Sequence, residues 1–482
     1  MASDRNSVGT SNTRNSDDTA ATNPCVMTVL GPLPTGANLG HILMNEHLVC
    51  QPAQKKKRGR HPSNKNNCND DKLRMSMENL AAIRSQPLEC VDNMTLYSEH
   101  EALSELQYLQ SRISSLRSSS SSSPVVTVLD VTNAADGRDL KATLNISRRL
   151  GIHVIVGTSC VATDAIIETP TASNHNKNEQ EKEDVDPIER DIAHMEEELL
   201  QGIYTTLNGD ATTPASTEKK TCSDTIRAGF IGEVLISESF PPLEQRELRA
   251  CAIVQGSTKA PLLVSAPASC IRQVLDHIEE CGGNLCQTVL THMDMYCSSN
   301  NDSQFDYSLL RSVLDRGAVI SLDRFSVAAA CFDFDCKFPT LKSVVLMISE
   351  LLQVNPLYVH QIVLSSGIFM RLQYRRYGGA GYSVLQEDFL PRLLSAGISL
   401  DRIRIMMENN PRRLLEWWKA PPPPVKKIEY LTCSVCHRLF EPILGEYFTK
   451  YTFTYCGRDC LRGHVKMKFK PIPAPQESPG SK

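Results

Sequence analysis

The sequence carries no surplus of either charge and no long hydrophobic run. Its 51 Lys and Arg face 55 Asp and Glu, a formal net charge of −4 over 482 residues. That balance argues against the whole molecule being a polyanion binder and confines any nucleic-acid contact to a local patch. No stretch reaches the roughly 18 uninterrupted apolar residues that a membrane span needs. Residues 1–23 are rich in Ser, Asn, Asp and Thr and lack the apolar core of a signal peptide. A nuclear or cytoplasmic protein is expected, neither secreted nor held in a membrane. At 41 % hydrophobic residues the chain is too apolar for wholesale disorder. Its 17 Cys are an odd number scattered through the chain, so most are expected to be reduced thiols filling small apolar gaps.

Shifts of composition divide the chain. They are the polar head, a basic run Lys55-Lys56-Lys57-Arg58-Gly59-Arg60, a serine run at 118–123, a charged polar stretch at 171–186, and four consecutive prolines at 421–424 that favour a stiff extended spacer. The expected organisation is a disordered head at 1–23, a large domain at 24–420 with insertions near 51–72, 117–123, 163–186 and 207–221, a Pro-rich linker at 421–428, a small Cys-rich module at 429–470 and a disordered tail at 471–482.

Within the large domain, short β-branched runs alternate with helical patterns. Pro124-Val-Val-Thr-Val-Leu-Asp130 reads as a strand, 137–150 places Leu140, Leu144, Ile146 and Leu150 near helical spacing, and Ile152-His-Val-Ile-Val156 is a strand again. The rhythm recurs through Gly229-Phe-Ile-Gly-Glu-Val234, Pro261-Leu-Leu-Val264, Thr288-Val-Leu-Thr291, Ala318-Val-Ile-Ser-Leu322 and Gln361-Ile-Val-Leu-Ser365. Strands buried on both faces read as unbroken apolar runs, and repeated β-α alternation implies a parallel sheet. About eight strands over this length predict an α/β protein built on a (β/α)8 TIM barrel. Its chemistry would then sit at the C-terminal strand ends, at Asn45, Glu46, His47, Glu233, Ser265, His292 and Gly367.

Those strand ends carry a resemblance. Thr28-Val-Leu-Gly31 followed by Leu39-Gly-His-Ile-Leu-Met-Asn-Glu-His-Leu48 resembles the opening of the phosphotriesterase family, T-V-L-G and then L-G-x-T-L-x-H-E-H-L. Glu78-Asn-Leu-Ala-Ala-Ile-Arg84, Asp130-Val-Thr132, Gly229-Phe-Ile-Gly-Glu-Val234, Tyr377-Gly-Gly-Ala-Gly-Tyr382 and Glu408-Asn-Asn-Pro-Arg-Arg413 are similar to that family too, and most to its phosphotriesterase-related branch. The resemblance implies a distorted TIM barrel and a metal-dependent hydrolase of esters, lactones or amides. Two divalent ions, bridged by a carboxylate and a hydroxide, would acidify the bridging water.

The resemblance places the second histidine of the family's first pair at His47, the bridging carboxylate at Glu233 and the sixth-strand histidine at His292. The other positions are altered, with Asn45 for the first histidine, Ser265 for the fifth-strand histidine and Gly367 for the eighth-strand aspartate that handles the proton. Amide and hydroxyl groups are weak neutral ligands and glycine offers none, so each ion of a pair would keep two protein ligands where three are usual. A degraded centre is expected, with no confident catalytic residue, and the protein is expected to act as an interaction scaffold. Two alternatives stay open: one weakly held divalent ion at His47, Glu233 and His292, completed by Asp294, Asp323 or Cys160 in an active mononuclear hydrolase, or survivors that are satisfied structural residues. Restoring Asn45→His, Ser265→His and Gly367→Asp together is the corresponding gain-of-metal test.

The tail is spaced as a metal site. Cys433-Ser-Val-Cys436, 19 residues, then Cys456-Gly-Arg-Asp-Cys460 offers four thiolates, which close a tetrahedral shell around a structural zinc. It resembles a MYM or TRASH type treble-clef finger, with His437 or His464 as less favoured ligands. Fingers of this class more often bind proteins, while Arg458, Arg462, Lys466, Lys468 and Lys470 leave phosphate contact open. The run Lys55, Lys56, Lys57, Arg58 and Arg60 reads as a nuclear-import signal, as a solvated loop, or as a DNA-contacting arm in a third, chromatin-associated reading.

Overall fold

A computed structural model describes residues 24–50, 74–116, 125–161, 186–204, 225–297, 307–330, 338–419, 431–440, 447–470 and 472. The expected head, basic run, serine run, proline spacer, tail and the bulk of each insertion lie outside these residues. Among the described residues no helix is long and apolar enough to cross a membrane. The chain divides into two units, residues 1–419 and 420–482.

The first unit is built on eight parallel strands in sequential order: His41–Glu46, Val126–Asp130, His153–Thr158, Phe230–Leu235, Leu262–Ser265, Thr288–Leu290, Val319–Leu322 and Ile362–Leu364. Each apolar run predicted above supplies one of them. Alternation splits each run between two layers of core. Ile42, Met44, Leu129, Ile155, Leu263, Val289, Val319 and Val363 fill the barrel interior. Leu43, Val128, Val154, Val264, Leu290 and Ile320 pack outward in the cluster that also holds the buried faces of the helices. This is the reason the strands read as continuous hydrophobic runs.

Helices return the chain between strands. The helix expected over 137–150 spans Leu140–Leu150, because the Asp139 side chain caps it by accepting the Ala142 amide at 2.9 Å and Gly151 ends it in the left-handed conformation. The helices Pro242–Thr258, Ile271–Glu280 and Leu341–Val354 are among the others, the last capped by the Thr340 side chain accepting the Ser343 amide.

No ladder joins the first and eighth strands; side chains do. Ser365 Oγ takes the Asn45 amide at 2.9 Å and gives its proton either to the Asn45 carbonyl at 3.1 Å or to Glu46 Oε1 at 2.7 Å. The buried Glu46 carboxylate accepts the amides of Ser366, Gly367 and Ile368 at 2.6, 3.1 and 2.8 Å. Glu46 therefore laces the barrel shut exactly at the end where strand-end chemistry would sit. Burial pushes its carboxyl up to about 7 against the pull of those donors.

The second unit pairs Leu431–Thr432 with Leu439–Phe440, then Phe448–Lys450 with Phe453–Tyr455, and ends in the helix Arg458–Lys466. Phe448–Lys450 and Phe453–Tyr455 form a hairpin, reversed at Tyr451 with φ of 57°.

Candidate functional site

The C-terminal strand ends meet around a cavity of about 230 Å³ lined by His47, Asn133, Glu233, Arg324 and Phe369 among others. Glu233 sits at the centre. Its Oε1 accepts Asn45 Nδ2 at 3.0 Å and lies 3.2 Å from His292 Nε2. The other ring nitrogen of His292, Nδ1, is 2.6 Å from Asp323 Oδ1, which also accepts the His292 amide at 3.1 Å. That double hold keeps His292 in the left-handed region at φ of 60°, a conformation side-chain-bearing residues rarely adopt. Ser321 Oγ donates to Asp323 Oδ2 at 2.7 Å.

Arg324, directly after the seventh strand, completes the cluster. One guanidinium nitrogen lies 2.8 Å from His292 Nε2, and its carbon stacks 4.3 Å from the Phe369 ring centroid. Its own amide is fixed by Asp294 Oδ2 at 2.6 Å. His47 lines the same cavity, its Nδ1 on Thr132 Oγ1 at 2.9 Å.

Burial and neighbouring charge compete within this group. Burial alone would raise Glu233, but the charge of His292, its hydrogen bond and the nearby Arg324 hold it well below the usual carboxylate range. Burial alone would lower His292, but Asp323 and Glu233 outweigh it and raise the imidazole to about 9. Burial, with Asp323 beside it, pushes Asp294 up to about 7. Arg324 opposes that protonation: a guanidinium only donates, so its hydrogen bond to Nε2 requires that nitrogen to be unprotonated. His47 is pulled down to about 4 by burial and stays neutral.

Of the residues singled out in the sequence, Asn45, Glu233 and His292 are brought into contact, with Asp323 behind the imidazole. His47 shares their cavity. Cys160 belongs elsewhere, 3.9 Å from Cys251. Gly367 adopts φ of 67°, and a Cβ there would lie 1.5 Å from the Asp323 carbonyl oxygen. The proposed Gly367→Asp restoration is therefore blocked by backbone, not merely by a missing side chain. Arg324 was missed; its one visible signal is a charged pair, Asp323 and Arg324, immediately after an apolar run.

The four tail cysteines converge, their Sγ atoms all within 4.8 Å of one another, and they form the one group of three or more metal-binding side chains among the described residues. Cys436 to Cys456 and Cys456 to Cys460 are 3.6 and 3.7 Å apart. Four thiolates about 2.3 Å from a tetrahedral zinc would stand about 3.8 Å apart, so the donor set and spacing fit that ion. Burial would raise the Cys433 thiol, but backbone amides of Cys436, Cys456 and Val435 outweigh it and bring it to about 6, toward the thiolate that zinc requires. His464 is not a ligand: its Nδ1 meets Tyr455 Oη at 3.1 Å and its Nε2 the Lys470 carbonyl at 2.7 Å.

A model of the phosphotriesterase family matches residues 24–415. The chain belongs to the phosphotriesterase family. A second family model, the Vms1-associating treble clef domain, matches residues 428–472, which places the cysteine cage in a treble clef. Similar proteins include the phosphotriesterase-related protein of Nematostella vectensis, 25 % identical over 385 residues that span 78 % of this chain and 94 % of that one. The N-acetyltaurine hydrolase of Danio rerio is 24 % identical over 330 residues, 66 % of this chain and 81 % of that one. Among solved structures, a resiniferatoxin-binding protein from Rhodobacter sphaeroides is 26 % identical with a TM-score of 0.60, covering 82 % of this chain and 95 % of that one.

Proposed function

We propose that this phosphotriesterase-family barrel has replaced its metal centre with an ion cluster made of its own side chains, and that the protein acts by binding partners rather than by hydrolysis. The observation that carries this reading is the guanidinium of Arg324 against His292 Nε2, with Asn45 holding Glu233. An Nε2 lone pair that takes the Arg324 N–H has none left for an ion, and the guanidinium already supplies positive charge beside Glu233. The residues of the barrel mouth therefore do not suit a divalent pair. The treble clef, by contrast, would hold one structural zinc at Cys433, Cys436, Cys456 and Cys460, and the name of its family supports a protein partner of the Vms1 kind for that module. A barrel named for binding a ligand, the resiniferatoxin-binding protein, is in keeping with this reading.

A second reading, an active hydrolase of an ester, amide or lactone, draws on the cavity beside Glu233 and on relatives named as N-acetyltaurine hydrolases. Zinc analysis of the full chain separates the two. The scaffold reading expects one zinc per chain, lost in a Cys433→Ser/Cys436→Ser variant, and no turnover of ester, lactone or N-acetyltaurine. Metal kept by that variant, or turnover abolished by Glu233→Gln, would overturn it.

A further inference from the structure

The treble clef carries an exposed edge that the zinc cage does not explain. Tyr451 at the hairpin tip is 77 % exposed, and Val465 and Met467 at the end of the helix are 46 % and 44 % exposed. Phe469 ties the hairpin tip to the end of the helix. Tyr451 and Phe469 meet edge to face with centroids 5.1 Å apart, Lys450 Nζ lies 5.1 Å from the Phe469 ring, and Phe469 packs 5.6 Å from the buried His464 ring.

Backbone strain gathers at the same place. Tyr451, Lys468 and Phe469 have φ of 57°, 53° and 57°. A residue with a Cβ is strained in that region where glycine would not be. The tight turn from His464 to Phe469, closed by the Phe469 amide on the His464 carbonyl at 3.0 Å, folds Phe469 inward and leaves Val465, Lys466, Met467 and Lys468 outward. Such strain persists where the side chains it presents are used.

Charge selects the occupant. Residues 447–470 hold six Lys and Arg against a single carboxylate, Asp459, which leaves the segment cationic even beside a doubly negative tetrathiolate zinc. Among the described residues no ion pair engages any of these cations. Exposed Tyr451, Val465 and Met467 among unpaired lysines suit a partner helix with one apolar and one acidic face.

We infer that the edge formed by Tyr451, Val465 and Met467, rimmed by Lys466, Lys468 and Lys470, docks an acidic amphipathic helix of a protein partner. This rests on the reading of the treble clef as a protein-binding module and specifies the chemistry it recognises.

The test uses full-length, zinc-loaded protein and two fluorescent peptides of about 18 residues with identical Glu and Leu content, one with leucines at helical i, i+3, i+4 spacing and one scrambled. The amphipathic peptide is expected to bind at least tenfold tighter than its isomer. A Tyr451→Asn/Lys466→Glu/Lys470→Glu variant, with Asn chosen because it tolerates the left-handed region, should lose at least tenfold while keeping one zinc. Equal binding of both peptides would reduce the edge to unspecific charge and overturn the inference. So would an oligouridylate that binds more tightly than the peptide and depends on Tyr451. Purified Vms1 protein provides the second arm. Binding lost in Cys433→Ser/Cys436→Ser but intact in the edge variant overturns this surface while the module's role stands. Binding intact in both removes the module's role, and the peptide comparison still decides the edge.

Discussion

Arg324 and His292 come within 2.8 Å of each other at the mouth of the barrel, guanidinium nitrogen to Nε2, beside the Glu233 carboxylate. A guanidinium only donates, so Nε2 accepts, with the ring proton on Nδ1 held by Asp323. The arrangement makes the cluster interdependent, and its energetics can be measured.

Removing the guanidinium leaves the two carboxylates with one partner. Arg324→Met is expected to destabilise the barrel by about 1–3 kcal/mol in urea unfolding. Adding Glu233→Gln should recover part of that loss, because the uncompensated charge goes with it. Strictly additive losses would show that Arg324 and Glu233 are not coupled.

Glu46 closes the barrel through four donors where no strand ladder does. In Glu46→Gln one acceptor becomes an NH2 group facing an amide donor, and about 1–3 kcal/mol of stability should be lost. Hydrogen exchange should rise first at Ser366, Gly367 and Ile368. Unchanged protection there would contradict the closing role.

The pH dependence at His47 has a definite sign. In the unfolded chain a histidine takes its proton near pH 6.5; in the fold, burial lowers His47 to about 4. Between these values the unfolded state binds more protons, so this group's contribution to stability is present above pH 6.5 and is lost as pH falls toward 4. His47→Gln should flatten the stability profile in that window. NMR titration of the wild-type ring should show the neutral form down to about pH 4.

Gly367→Asp is expected not to restore a metal centre. With the Asp323 carbonyl oxygen 1.5 Å from the new Cβ, the loop must move or the chain must fail to fold. Asn45→His/Ser265→His, leaving Gly367 intact, is the cleaner control, and zinc analysis after removing the treble-clef cysteines should find none in either variant. In the treble clef itself, chelation should erase the 447–470 hairpin and helix signals, since a module this small depends on its ion.

The amino-acid order alone determined the layered barrel, because strands buried on both faces must be apolar throughout and because Asp139 and Gly151 mark a helix's ends chemically. It also determined the cysteine cage, whose ligands lie close enough in the chain for spacing to reveal them. Contacts between residues distant in sequence were decided only by the tertiary structure. Glu46 and Ile368 are 322 positions apart, and Arg324 reaches His292 across 32. Nothing in a local pattern distinguishes a lysine-like surface cation from a guanidinium turned inward over Phe369, and nothing in the letter G discloses that the Asp323 carbonyl fills the space beyond it. Pattern follows from burial, which is periodic along the chain; the cluster depends on which strand ends meet, which is not.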